Sequence, residues 1–201
     1  MWREAIQQVL ISEAALQRRI RDLGSAITAD YRGRQPVFVV VLNGALIFLA
    51  DLIRAVDLRL TIDCVALSSY GAGSVSSGMV HLRKDLDESI TGKDVLIIED
   101  IIDTGLTLHR LVHHLSARRP ADLRICVLLD RPARRRVDLP ITYTGFELPD
   151  TFVVGYGLDY RGEYRNLPFI GALRSEVLQA SPPRETPAHP DLAGERCLDI
   201  P

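Results

Sequence analysis

Three short apolar runs set the fold of this 201-residue chain. Val37–Leu42, Val95–Ile98 and Leu123–Leu129 are each too short for a helix and are not broken into an alternating pattern. A run of that kind is a strand buried on both faces. Amphipathic segments precede and separate them. Leu16, Ile20, Leu23 and Ile27 recur at spacings of four, three and four behind a Ser12 cap, and a second segment spans about Ala45 to Ala55. Leu108, Leu111, Val112 and Leu115 mark a third, which Pro120 ends. Leu58, Leu60, Ile62 and Cys64 alternate with polar neighbours, as in a half-buried strand. Strands alternating with helices through short links predict an α/β fold: a mostly parallel, twisted sheet flanked by helices. Ligands on such sheets bind beyond the C-terminal ends of the strands.

One such end carries unusual chemistry. Val95–Ile98 runs into Glu99-Asp100, and Asp103-Thr104-Gly105-Leu106-Thr107 follows at the start of a helix. Paired acids suit sugar hydroxyls or a metal ion. A glycine turn at a helix N-terminus, flanked by two threonine hydroxyls, suits a phosphate. A sugar phosphate meets both demands. Two acids alone would be ordinary loop residues; the third acid and the Thr-Gly turn change that reading.

Composition narrows the setting. Hydrophobic residues make up 47% and charged residues 25%, as in an ordinary globular protein, and the net charge of −2 gives no general affinity for nucleic acid or an anionic membrane. No apolar run approaches the ~18 residues of a membrane span, and the first residues lack the apolar core of a signal peptide. Three scattered cysteines, Cys64, Cys126 and Cys197, indicate neither a disulfide framework nor a zinc site. A cytoplasmic protein is expected. Residues 181–201 hold five prolines and little periodicity, so a domain over 1–180 with a disordered or loosely docked tail over 181–201 is expected.

Other features have plainer readings. Gly71-Ala72-Gly73-Ser74 lacks the third glycine of a dinucleotide fingerprint. His109, His113 and His114 have Arg110 where a zinc protease has glutamate, which leaves them as solvated helix residues. Arg134-Arg135-Arg136 is expected to be a solvated loop or a subunit contact.

Val95–Thr107 resembles the phosphoribosyl-pyrophosphate (PRPP) loop of the type I phosphoribosyltransferases, and in detail that of the hypoxanthine-guanine phosphoribosyltransferases. The resemblance extends to about Leu173 and implies the type I phosphoribosyltransferase fold with a small hood subdomain. It implies that Glu99 and Asp100 hold the ribose hydroxyls, that Asp103 to Thr107 bind the 5′-phosphate, and that Asp103 handles a purine proton. Leu42-Asn43-Gly44 matches the pyrophosphate loop, with a non-proline cis peptide, and Arg165 matches an arginine beside the pyrophosphate. Ser69-Tyr70 and the glycines after them match the lid. Phe152 matches the residue that stacks on the base, the Val153 backbone meets the pyrimidine edge, and Asp159, with Glu99 and Asp100, is implied in holding Mg²⁺. The family has a lysine after Leu-Leu-Asp to donate to the 6-oxo group; here Leu128-Leu129-Asp130 precedes Arg131, which keeps the charge on a longer, planar group.

The implied activity is purine salvage. A 5-phosphoribosyl group passes from PRPP to N9 of a 6-oxopurine, hypoxanthine or guanine, and pyrophosphate leaves. The implied assembly is a homodimer or homotetramer. Two alternatives remain: a PRPP- or nucleotide-sensing regulator without catalysis, and a transferase for another base such as xanthine.

Overall fold

The computed structural model describes residues 2–69, 80–179 and 196–197. A short helix α1 (Trp2–Ala5) leads into strand β1 (Ile6–Ile11), then α2 (Glu13–Asp30), β2 (Val37–Leu42), α3 (Leu46–Ala55), β3 (Thr61–Ser69) and β4 (Val80–Lys84). The second half runs through β5 (Asp94–Ile102), α4 (Leu106–Ser116), β6 (Asp122–Asp130), a 3-10 turn (Pro132–Arg134), β7 (Tyr143–Glu147), β8 (Val153–Val154), β9 (Ile170–Leu173) and α5 (Ser175–Gln179). Arg196–Cys197 forms β10.

The main sheet has the order β10-β4-β3-β2-β5-β6-β7. Its central pairs, β3–β2, β2–β5, β5–β6 and β6–β7, are parallel, while β4 and β10 are antiparallel additions at one edge. The expected parallel α/β sheet is therefore present. Its two faces carry separate cores. Phe38, Val40, Leu96 and Ile98 pack with α2 and α3 on one side, and Val39, Val95, Ile97 and Val127 pack with α4 on the other. Such double coverage makes these strands uninterrupted apolar runs. The α2 face is as expected: Leu16, Ile20, Leu23 and Ile27 are buried, and the Ser12 hydroxyl accepts from the Ala15 N–H.

Chain order reverses between β2 and β5. The chain leaves β2 towards β3 on one side and returns to add β5 on the other, so their C-terminal ends splay apart and leave a crevice.

One feature differs from expectation. The strand expected from Leu58 begins at Thr61 instead. There Ile62 is exposed, and Asp63 and Val65 on the opposite face are buried. A hood sheet, β1-β9-β8, joins the N-terminal strand to residues 153–173 around a small cluster of Ile6, Val154, Leu167 and Leu173. Within the Pro-rich tail, Arg196 pairs with Leu82 and Cys197 with His81 on the outer edge of β4, a docked contact; the rest of the tail and residues 70–79, including Tyr70, lie outside the described residues. Ser69 is the last residue of β3.

Candidate active site

The crevice between β2 and β5 gathers most of the residues singled out above. Strand β5 carries Glu99 and Asp100 within its hydrogen-bonded length, near its C-terminal end. Glu99 is buried, and burial together with the neighbouring Asp100 charge pushes its carboxyl well above the usual carboxylate range. Burial also raises Asp100, opposed by the Ile101 N–H, which donates to its carboxylate at 2.8 Å, and by Arg165. Two acids share one buried place, an arrangement that favours a cation or hydroxyl donors.

Below them the phosphate loop turns into α4. Gly105 is the N-cap at φ +80°, a left-handed conformation that L side chains rarely adopt, and a Cβ there would lie 3.0 Å from Val137. The first N–H groups of α4 have no acceptor within the helix; that of Leu106 reaches the Thr104 hydroxyl at 3.4 Å. A cleft of about 240 Å³ opens here, lined by Glu99, Asp103, Thr104, Gly105 and Thr107 with Val41, Leu67, Ile101, Ile102 and Leu108. Acid lies on one wall and the N-terminus of α4 on the other, an arrangement compatible with a sugar phosphate.

The β2 end lies against the acids. The Leu42–Asn43 peptide is cis. A Cβ on Gly44 would fall 1.6 Å from Asp100 Oδ2, so any other residue here would displace the carboxylate from the loop. Gly157 approaches just as closely from the other side: a Cβ there would meet the Gly44 carbonyl oxygen at 2.0 Å. Arg165 locks that contact. Its Nη1 donates to the Gly157 carbonyl at 2.6 Å, and its Nη2 pairs with Asp159 Oδ1 at 2.6 Å. The other Asp159 oxygen accepts from the Gly162 N–H at 2.6 Å. Asn43, Gly44, Asp100, Gly157, Asp159 and Arg165 thus form one connected wall.

Across the phosphate loop, Arg131 is buried beside Asp103, with Nη1 3.8 Å from Asp103 Oδ2 and Nη2 donating to the Thr151 carbonyl. Phe152 follows Thr151 directly, is 41% exposed, and meets Tyr160 edge-on at 5.6 Å. Val153 is buried in β8 and pairs with Ala172. A flat, half-exposed ring beside a buried guanidinium is a platform for a heteroaromatic base.

Glu99, Asp100 and Asp159 do not make a ready metal centre: among the described residues no three His, Cys, Asp or Glu side chains converge to hold an ion. The donor set still fits Mg²⁺, which takes oxygen ligands and completes its shell with water and substrate phosphates. Asp103 Oδ1 is moreover buried without a hydrogen-bond partner. Sequence reasoning missed Gly157, Asp150 and the role of Arg134. Arg134 is no free solvated residue: its Nη1 donates to Asp103 Oδ2 at 3.2 Å and its Nε pairs with Asp150 at 2.5 Å. Arg135 likewise pairs with buried Asp130. His114 is half-buried against Asp85 and Arg118, whereas His109 and His113 are exposed.

A parallel sheet with this strand order, and acids facing a phosphate-binding helix N-terminus at its switch point, define a nucleotide- or sugar-phosphate-handling α/β protein. The model of the phosphoribosyl transferase domain matches residues 7–161, and the chain belongs to that family. It is 48% identical over 180 residues to the hypoxanthine-guanine phosphoribosyltransferase of Bacillus subtilis, covering 90% of this chain and all of that protein. A crystal structure of a hypoxanthine phosphoribosyltransferase from Staphylococcus aureus superposes with a TM-score of 0.84 at 46% identity, over 88% of this chain and 96% of that one. The hypoxanthine phosphoribosyl transferase of Trypanosoma cruzi gives the same TM-score at 41% identity, over 88% and 96% of the two chains.

Proposed function

We propose that this chain is a purine salvage enzyme that transfers the 5-phosphoribosyl group of PRPP to N9 of hypoxanthine or guanine, forming IMP or GMP and releasing pyrophosphate. The observation that carries this reading is the meeting of three chemistries at one crevice: the buried Glu99–Asp100 pair, the open N-terminus of α4, and the Arg131–Phe152 platform across Asp103.

In this reading the α4 N–H groups with Thr104 and Thr107 hold the 5′-phosphate. Glu99 and Asp100 accept the ribose hydroxyls. The Leu42–Gly44 loop and Arg165 line the pyrophosphate. Phe152 stacks on the base, the Val153 backbone meets its pyrimidine edge, and Arg131 donates to its 6-oxo group. As the bond from C1′ to pyrophosphate lengthens, positive charge grows on the sugar and N9 closes on C1′. Asp103 takes the proton that the purine sheds. Holding donor and acceptor in line is the largest contribution the scaffold can make, worth ~7–11 kcal/mol in favourable cases. Ser69 and Tyr70 belong to the segment assigned to closing over the centre and excluding water.

Glu99, Asp100 and Asp159 would hold Mg²⁺, and the ion would supply charge neutralisation for the departing pyrophosphate. Residues 1–180 form the catalytic domain and 181–201 an appended tail. A cytoplasmic setting is supported by the free thiols of Cys64 and Cys126. Assembly as a homodimer or homotetramer is supported by exposed Leu46 and Ile62, apolar surface that a second copy can cover.

The test is direct. The protein is incubated with PRPP and Mg²⁺ and, separately, with hypoxanthine, guanine, xanthine or adenine, and the nucleotides formed are quantified. IMP and GMP are expected. Exclusive formation of XMP would move the assignment to a xanthine enzyme, and PRPP binding without any nucleotide would make the chain a sensor.

A further inference from the structure

Residues 131–136 join the two halves of the crevice. On one side the Arg131 N–H donates to the Ile102 carbonyl at 3.0 Å and the Arg136 N–H to the Thr104 carbonyl at 2.9 Å, so this segment is laced to the phosphate loop. On the other, Arg131 reaches the Thr151 carbonyl and the Leu148 N–H donates to the Asp130 carbonyl at 2.8 Å, which ties it to the strand leading to Phe152. Two side chains span both: Arg131, through Asp103 and the Thr151 carbonyl, and Arg134. Arg134 uses Nη1 for Asp103 and Nε for Asp150. Two distinct edges of one rigid guanidinium are therefore engaged, a geometry a lysine ammonium does not reproduce.

We propose that Asp150 and Arg134 are positioning residues for the reaction: Asp150 orients the Arg134 fork, and Arg134 fixes the Asp103 carboxylate relative to the base platform. This rests on the phosphoribosyl transfer proposed above. The Asp103, Arg134 and Asp150 side chains are 41%, 46% and 56% exposed. Ion pairs that open to water contribute little to folding. Their alignment serves the placement of Asp103, whose outer oxygen is shared by Arg134 and Arg131. Asp103 lies just past the C-terminal end of β5, close behind Asp100; repulsion from a charged Asp100 would displace an untethered carboxylate.

The experiment measures kcat, the KM for PRPP and for hypoxanthine, and the melting temperature for wild type, Asp150→Asn, Arg134→Ala, Arg134→Lys and the Asp150→Asn/Arg134→Ala double variant. Misplacing a reacting group by a fraction of an ångström predicts a kcat loss of about tenfold in Asp150→Asn and at least that in Arg134→Ala. Both KM values stay within about twofold and the melting temperature within about 2 °C. The double variant is no slower than Arg134→Ala, because Asp150 acts only through Arg134. Arg134→Lys restores less than half of the lost rate. Additive losses, a full rescue by lysine, a loss carried by KM alone, or a rate loss that tracks a lowered melting temperature would each overturn the proposal. Wild-type protein that makes no nucleotide would instead overturn the parent function.

Discussion

Gly157→Ala tests how closely the crevice is built. At φ +103° an added side chain costs about 1–2 kcal/mol in backbone conformation. The new methyl would also stand 2.0 Å from the Gly44 carbonyl oxygen, where real contacts do not fall below about 3.0 Å, so the two loops must part by about 1 Å. Forcing atoms into a packed place adds about 1–3 kcal/mol. The combined loss of about 2–5 kcal/mol lowers the melting temperature by about 4–20 °C for a chain of this size. The functional effect is more specific. Gly44 lies on Asp100, and Arg165 grips the Gly157 carbonyl, so the shift separates the pyrophosphate loop from the acid pair. A 1 Å error of this kind costs about a hundredfold in kcat/KM. Gly33→Ala is the control: its φ is +77° with nothing within 4 Å of the new methyl, so it carries the dihedral cost without the collision. Thermal melting and steady-state kinetics with PRPP as the varied substrate read both effects. If Gly157→Ala melts with Gly33→Ala and keeps the wild-type kcat/KM for PRPP, the close approach has no energetic meaning and the argument fails.

Asp103→Asn should lower kcat by about 10²–10⁴-fold while PRPP affinity, measured by calorimetry, stays near wild type; an equal loss in both points to a structural acid. Arg131→Ala should narrow the preference for 6-oxopurines over adenine by about 1–3 kcal/mol, and unchanged discrimination in competing-base assays removes Arg131 from base reading. The acid pair gives a pH effect of defined sign. Burial raises Glu99 above its ordinary value of 4.5, so above that pH the unfolded chain sheds a proton that the folded chain retains, and stability falls as pH rises. Melting scans without divalent cations should show this decline from about pH 4.5 towards neutrality, and Glu99→Gln should flatten it. A slope unchanged by the substitution means that Glu99 titrates alike in both states. Leu111→Ala, in the fully buried face of α4, should cost about 2–5 kcal/mol in denaturant titration; a cost under 1 kcal/mol would show that the α4 face repacks freely.

The layout of the main sheet was legible because its strands obey a simple physical constraint. Val37–Leu42 and the strand before Glu99 are covered on both faces, so their sequences have no polar side to confuse the reading. The same logic misplaced β3. Leu58, Leu60, Ile62 and Cys64 alternate correctly for a half-buried strand, yet Ile62 is exposed and the opposite face turns inward around Asp63. Alternation cannot register an acid whose burial is supported by tertiary hydrogen bonds. The hood was implied by the family resemblance and not by its own pattern: β1 finds its partner in Ile170–Leu173, far along the chain, and Gln7 and Gln8 weaken its apolar signal. At the site, the phosphate loop was visible because strand, acids, glycine and helix are contiguous. Asp150 and Arg134 were not, because a charge run in a loop carries no sign of what it faces until the fold brings a second loop beside it.

Buried acids are present in two kinds here, and the difference between them separates architecture from chemistry. Asp63 receives the N–H groups of Cys64, Asp87 and Glu88 at 2.7, 2.9 and 3.2 Å and faces Lys84 at 3.6 Å. Asp130 is paired with Arg135. Each has its charge met within the fold, so each is explained by the structure it holds together. Glu99 and Asp100 crowd one another and share a side-chain hydrogen bond, with the Ile101 N–H and the field of Arg165 as further partial relief. An apolar pair on the same strand would fold at lower cost. A sequence that keeps two carboxyls at the switch point of its sheet with little but each other to meet them violates a local rule of stability, and such violations gather where a ligand completes the balance. The ligand must then bring positive charge or hydroxyl donors to the acids and negative charge to the α4 N–H groups nearby. A pentose phosphate with a bound cation answers on both counts. A neutral sugar answers only the first.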